Sequence, residues 1–319
     1  VILTVTPNPS LDRTYEVPEL RRGGLLRAEG DRVEPGGKGV NVARAVAAAG
    51  GATTAVLPLG GAEGALLARL LDGRGIDVAG VELAGSTRVN VTLVEPDGLL
   101  TKVNAPGPSL SPAEAEALIE TVRARSADAE WIACCGSLPR GLAPAWYAEL
   151  VARVHRAGAR IALDTSGQAL TAALAHRPDV VKPNADELAE AAGRPLRTVG
   201  EAVEAARELR ARGAGAVLAS LGADGQLLVE DGGIYWGHAP VAAVRSDVGA
   251  GDASLAGFLA AGGRGPSALA AAVAHGAAAV GLPGSAMPTA ADLAPSAVVT
   301  TADVPLDRPL TAGRGGGTT

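Results

Sequence analysis

The chain has 319 residues, 47% of them hydrophobic, and a formal net charge of -6. The acidic balance argues against a nucleic-acid footprint, and no apolar run reaches the ~18 residues a membrane-crossing helix needs. Adjacent Cys134 and Cys135 cannot staple distant segments and are expected to be free thiols, as in the cytoplasm. With one Phe, three Tyr and three Trp, the core must be built from Ala, Val and Leu, which suits close-packed helices and buried parallel strands.

Val1 to Thr6 reads as a short apolar strand with no basic leader, so no signal peptide is visible, and Pro7-Asn8-Pro9 ends it. Thr14–Val17 and Leu25–Val33 are more polar strands, followed by a turn at Pro35-Gly36-Gly37-Lys38-Gly39. A small-residue helix over Val40–Ala49 precedes a strand at Thr53–Leu57 and a helix at Glu63–Leu71. Thr87–Leu93 and Leu99–Val103 flank Pro96-Asp97-Gly98 as a hairpin. Beyond Pro108 the rhythm becomes helix–strand alternation. Ser111-Pro112-Ala113-Glu114 is a capping box opening a helix to Arg125. A strand is expected at Trp131–Cys135, a helix at Pro144–Ala157 and a strand at Arg160–Leu163. Val180-Val181 leads into Lys182-Pro183-Asn184 and a helix through Ala191. Thr198 with Glu201 opens a helix to Arg212, before a strand at Ala216–Ala219 and a hairpin at Leu227–Val229 and Ile234–Trp236. Helices over Gly249–Ala261 and Pro266–Val280 close the core, and the polar, Gly-rich tail 309–319 is expected to be disordered.

This alternation predicts an α/β fold, a mostly parallel sheet covered on both faces, with its site at the carboxyl ends of the strands. Asp12, Lys38, Gly136, Asp164, Asn184 and Gly222 all fall after predicted strands or in the turns that follow. The two early hairpins interrupt the rhythm and are expected to form a small separate sheet, a lid over about 12–34 and 86–104, within one domain spanning 1–308.

Asp247-Val248-Gly249-Ala250-Gly251-Asp252 carries the strongest chemical signal. Glycines ahead of a helix turn N–H groups outward, and the helix dipole adds positive charge, so the segment suits a phosphate. Asp252 on the rim would repel that phosphate unless it takes a proton from an attacking hydroxyl. An ordinary helix start with a first-turn acid has the same six-residue pattern. No G-x-x-x-x-G-K-[ST] loop occurs, no G-x-G-x-x-G follows the first strand, and the four His lack metal-ligand spacing. The chain holds 25 Arg but three Lys, so Lys38, Lys102 and Lys182 are candidates for positions that need a compact charge.

Gly36-Gly37-Lys38-Gly39-Val40-Asn41 together with Asp247 to Asp252 resembles the two signatures of the ribokinase-like (PfkB) carbohydrate kinases, over Val1 to about Pro288. Thr6 to Asp12, Thr87-Arg88-Val89-Asn90-Val91, Asn104 to Pro108, Gly136-Ser137-Leu138-Pro139 and Lys182-Pro183-Asn184 with Glu187 resemble the branch acting on ketohexose phosphates. The resemblance implies a three-layer α/β/α sandwich and ATP-dependent phosphorylation of fructose 1-phosphate, with tagatose 6-phosphate, fructose 6-phosphate or a binding protein without catalysis as alternatives. It implies Asp252 as base, and an anion hole at Gly249, Ala250 and Gly251. It implies sugar contacts from Asp12, Gly37, Asn41, Asn90 and Ser137, with Lys38 and Arg88 on the substrate's phosphate. ATP contacts would come from Lys182, Asn184, Ser220, Gly222, Ala223, Gly225 and His275, and Mg2+ would be held through water by Glu187. A homodimer through the lid is a further implication. Asp247 departs from the family's usual Thr or Ser, and Cys135 from a common Ser.

Overall fold

The computed structural model describes residues 1–311. In chain order its first elements are β1 (Ile2–Val5), β2 (Ser10–Glu16), β3 (Gly30–Gly36), α1 (Lys38–Ala48), β4 (Thr53–Leu59), α2 (Gly61–Asp72) and β5 (Asp77–Glu82). Next come β6 (Arg88–Val94), β7 (Leu100–Val103), α3 (Pro112–Arg125), β8 (Trp131–Cys135), α4 (Trp146–Arg156), β9 (Arg160–Asp164), α5 (Gly167–Leu174) and β10 (Val180–Val181). The last are α6 (Ala185–Ala192), α7 (Val199–Ala211), β11 (Ala216–Ser220), β12 (Gln226–Glu230), β13 (Gly233–His238), α8 (Ala250–Ala260), α9 (Gly265–Val280) and β14 (Val299–Thr301).

Ten strands form one sheet in the order β14-β13-β12-β11-β10-β9-β8-β1-β4-β5. From β5 to β11 neighbours pair in parallel, and the edge from β11 to β14 is antiparallel. Period-two alternation sorts the side chains between two apolar layers. Leu3, Val5, Ile132, Cys134, Ile161 and Leu163 pack against α3 to α7. Ile2, Ala133, Cys135 and Ala162 face α1, α8 and α9. Ala133, Cys135 and Ala162 of that face are small, and α8 packs chiefly on α1 and α9. At Gly257 a Cβ would crowd the His275 ring, so α8 and α9 touch there.

A second sheet of four strands, β3-β2-β6-β7, stands apart from the first. It is the small sheet expected from the early hairpins, with the first two strands shifted along the chain. β2 begins at Ser10 and β3 runs through Gly36, with Ser10 opposite Gly36 and Asp12 opposite Glu34. Asp12 therefore lies within a strand and not in a turn, and Lys38 opens α1 directly. Two strands and a helix go beyond expectation. β5 carries Gly80 and exposed acids at the sheet edge, β14 is three residues long, and α5 is a short helix of eight. None has the length or alternation that makes a periodic signal. The expectation of disorder from 309 onward also needs correction. Pro309 bridges Thr198, Leu310 N–H donates to the Arg197 carbonyl at 2.8 Å, and Thr311 N–H donates to Asp224 at 2.6 Å. The rest of that tail, 312–319, lies outside the described residues.

Candidate active site

Three consecutive parallel strands and two helix starts deliver the polar and charged residues. β9 ends on Asp164, β10 is followed by Lys182, and β8 by Gly136-Ser137; Lys38 opens α1 and Asp252 lies in the first turn of α8. Asp164 is fully buried between two ammonium groups. Lys38 Nζ lies 2.8 Å from its Oδ1 and Lys182 Nζ 2.9 Å from its Oδ2. Lys38 also reaches Glu187 Oε1 at 3.2 Å. Burial alone would push the Asp164 carboxyl up, but Lys182 and Lys38 overcome it and hold that carboxyl below the usual carboxylate range. The same partnership raises Lys182 against its own burial.

Asp252 has the opposite balance. Burial, then the neighbouring Asp164 charge, push it up to about 6, against the pull of Lys182, the Asn41 hydrogen bond and Lys38. Asn41 Nδ2 donates to Asp252 Oδ2 at 2.9 Å, so one carboxylate oxygen is engaged. A carboxylate with this elevated affinity is well matched to accepting a proton near neutral pH.

Gly249 takes φ 79°, a left-handed turn that starts α8 without a side-chain cap and that a Cβ would strain. Ala250 N–H reaches the Asp247 carbonyl, while the first-turn N–H groups of Gly251 and Asp252 find no backbone acceptor among the described residues. A Cβ on Gly251 would lie 3.2 Å from Lys182 Nζ, so the buried ammonium flanks this hole. Backbone donors, a helix N-terminus and a lysine together form a site for a transferring phosphoryl group. Asp247 is exposed at its mouth.

On the small sheet, Asp12 and Asn90 are register partners. Asp12 Oδ1 accepts from Ser10 Oγ at 2.8 Å and Asn90 Nδ2 at 2.9 Å, and Asn90 Oδ1 accepts from Ala105 N–H at 3.1 Å. Gly36 is glycine because a Cβ there would overlap the Asp12 carboxylate. Gly37 is the residue before α1, and Ser137 is exposed beside Gly136, whose Cβ would lie 3.9 Å from that of Lys38.

Lys38 and Arg88 do not share a partner: Lys38 is held by Asp164 and Glu187, whereas the Arg88 fork donates to the Ala105 and Asn8 carbonyls, both at 2.9 Å. Its buried Nε is unpartnered. Lys182 sits beside Gly251 at the phosphoryl end. Asn184 and Glu187 form a complete capping box on α6, with bonds of 2.8 and 2.9 Å. Ser220 ends β11, and Gly222, Ala223 and Gly225 lie on the turn that follows, with Gly222 and Ala223 exposed. His275 is nine-tenths buried between α8 and α9, its Nδ1 2.8 Å from the Ala271 carbonyl; packing accounts for that contact.

Three buried residues make contacts that the sequence does not announce. Asp164, placed by the sequence at a strand's carboxyl end, pairs with both lysines. Arg44 is buried behind Asn41, and its signal is an arginine three residues on in an otherwise small, apolar helix. Asp224 is buried and accepts from the C-terminal segment, a contact no local pattern announces. Among the described residues no three His, Cys, Asp or Glu side chains cluster as a metal cage, and no helix is long and apolar enough to cross a membrane.

Similar proteins share this arrangement of strands and helices. The chain is 42% identical over 260 residues to 1-phosphofructokinase of Rhodobacter capsulatus, covering 81% of this chain and 82% of that one. It is 43% identical over 263 residues to 1-phosphofructokinase of Haloferax volcanii, covering 82% and 84%. Phosphofructokinase-2 from Escherichia coli, solved in complex with potassium, superposes with a TM-score of 0.87 at 35% identity, over 91% of this chain and 96% of that one. Residues 8–291 match the pfkB family carbohydrate kinases, and the protein, with its buried acid beside a helix-capped anion hole, belongs to that family.

Proposed function

We propose that the protein transfers the γ-phosphoryl group of ATP to fructose 1-phosphate, giving fructose 1,6-bisphosphate. The observation that carries the chemistry is Asp252, a buried carboxylate pushed up to about 6 beside the N–H groups that open α8. A sugar hydroxyl in that position gives its proton to the free oxygen of Asp252 as its own oxygen attacks the phosphorus, and ADP leaves. The Gly251 and Asp252 N–H groups and Lys182 hold the charge that develops on the equatorial oxygens. Asp12, Asn90 and Asn41 read the other sugar hydroxyls. Arg88, with one buried N–H uncommitted, binds the phosphate already on the sugar.

The turn Ser220 to Gly225 and Asn184 border the nucleotide. Magnesium fits this site in its usual manner, through one carboxylate, waters and the nucleotide's own phosphates. Glu187, whose Oε1 lies 3.2 Å from Lys38 Nζ, would be that carboxylate, acting through water. The chemistry such an ion would supply is neutralisation of the phosphate oxygens.

The small sheet acts as a lid that excludes water from the reacting groups. Leu100 and Val103 of β7, Leu99 just before it and Leu25 on the connection between β2 and β3 are exposed apolar side chains that a second copy of the chain would cover. Free, buried Cys134 and Cys135 suit a cytoplasmic enzyme.

The 1-phosphofructokinase relatives favour fructose 1-phosphate over tagatose 6-phosphate or fructose 6-phosphate. An ADP-release assay across the three, with Asp252→Asn as control, tests the proposal. The highest kcat/KM is expected for fructose 1-phosphate. A tenfold preference for another sugar would reassign the substrate, and no turnover on any would leave a binding protein.

A further inference from the structure

Arg44 is a cation whose side chain is 6% exposed, placed one residue behind the catalytic carboxylate. Its Nη1 donates to Asn41 Oδ1 at 3.1 Å, to the Pro35 carbonyl at 3.2 Å and to Ser285 Oγ at 3.2 Å. Its Nη2 reaches Glu34 Oε1 at 3.4 Å. Arginine has donors only, and an amide has one accepting and one donating end. The guanidinium therefore dictates which way Asn41 faces: oxygen towards Arg44, NH2 towards Asp252 Oδ2. Were the amide reversed, its oxygen would oppose a carboxylate oxygen and its NH2 would oppose a guanidinium. Burial works against the Arg44 charge, and Glu34 is the first group to offset it.

We propose that Arg44 is a positioning residue for phosphoryl transfer: by locking the Asn41 amide it commits Asp252 Oδ2 to a hydrogen bond and leaves the other oxygen for the sugar hydroxyl. Through Glu34 and Pro35 on β3 and Ser285 after α9, the same guanidinium ties that lock to the small sheet and to the C-terminal side of the site. Around Asp252 the other ionisable groups are Asp164, Lys182 and Lys38, with the Cys135 thiol behind them. Facing Arg44 are Glu34, Arg74 and Asp12. Losing the lock removes a donor that favours the charged form of the base, so the base becomes harder to ionise.

The inference rests on Asp252 as the base, and its test separates the two. Arg44→Met, Asn41→Ala and the double variant are compared by pH profiles of kcat on the preferred sugar phosphate, with KM for both substrates. In Arg44→Met the acid limb moves up by about one pH unit, so kcat on the acid side of the limb falls about tenfold, the equivalent of that shift, while KM for ATP stays within twofold. Because Arg44 acts through Asn41, adding Arg44→Met to Asn41→Ala changes kcat less than twofold. An unmoved acid limb, or the same tenfold loss in both backgrounds, overturns the inference and leaves Arg44 as packing. If Arg44→Met does not fold, Arg44→Gln, which can donate to a carbonyl without dictating the amide's direction, is read by the same outcomes. Near-normal turnover of Asp252→Asn would instead overturn the base itself.

Discussion

Asp164→Asn removes the anion shared by two lysines while keeping the side chain's size. Lys182 is 5% exposed and Asp164 0%, so the substitution strands a buried ammonium. Breaking such a pair costs about 3–5 kcal/mol. At roughly 2–4 °C per kcal/mol for a large domain, the unliganded protein should melt about 6–20 °C lower at pH 7.5. The sign against pH follows from the depressed Asp164 carboxyl. A group held below its unfolded value contributes stability that is present above that value and lost as pH falls through the folded one. The gap attributable to Asp164 should stay constant between pH 8 and 6 and close only below about pH 4.

A second readout isolates the electrostatics. Asp164 is, after burial, the largest cause pushing Asp252 up to about 6, so the acid limb of kcat in Asp164→Asn should move below that value. Thermal melts and a coupled ADP-release pH profile measure the two effects. A melting change under about 2 °C, or an acid limb moving upward, would refute the account of the ion-pair cluster.

Asp252→Asn should lower kcat by about 10²–10⁴ with ATP binding retained by calorimetry. It should also melt no lower than the parent at pH 8, because a carboxyl raised by burial contributes stability below its unfolded value and loses it as pH rises through about 6. Gly36→Ala drives a Cβ into the Asp12 carboxylate. Losing one charged hydrogen bond there should raise KM for the sugar phosphate by about 10–100-fold, with KM for ATP within twofold by initial-rate kinetics. Asp247→Thr removes an exposed charge at the anion hole and should lower KM for ATP with an unchanged melt; a higher KM with greater magnesium demand would make Asp247 a metal partner. Arg88→Ala should weaken fructose 1-phosphate by about 10–100-fold and leave free fructose and ATP nearly indifferent. An equal loss on phosphorylated and free sugar would make Arg88 only the clamp on Asn8 and Ala105.

Much of the fold could be read from the chain alone, because its signals are local. Trp131–Cys135 and Val180–Val181 are short apolar runs bounded by polar turns, and Ser111 with Glu114 forms the capping box its spacing announces. The two glycine-rich signatures identify the family because a positive φ at Gly249 and the crowding at Gly36 admit little else. Edge elements such as β5 and β14 stayed hidden, since their pairing depends on neighbours distant in sequence. The site divides along the same line. Asp252, Asn41 and Lys182 stand out by motif, but tertiary structure alone turned Lys38 from the sugar's phosphate to Asp164 and set Arg44 behind Asn41. Only packing decides which polar and charged groups face one another across 126 or 211 residues of chain, and the energy of a buried charge depends on those neighbours, not on its place in the sequence.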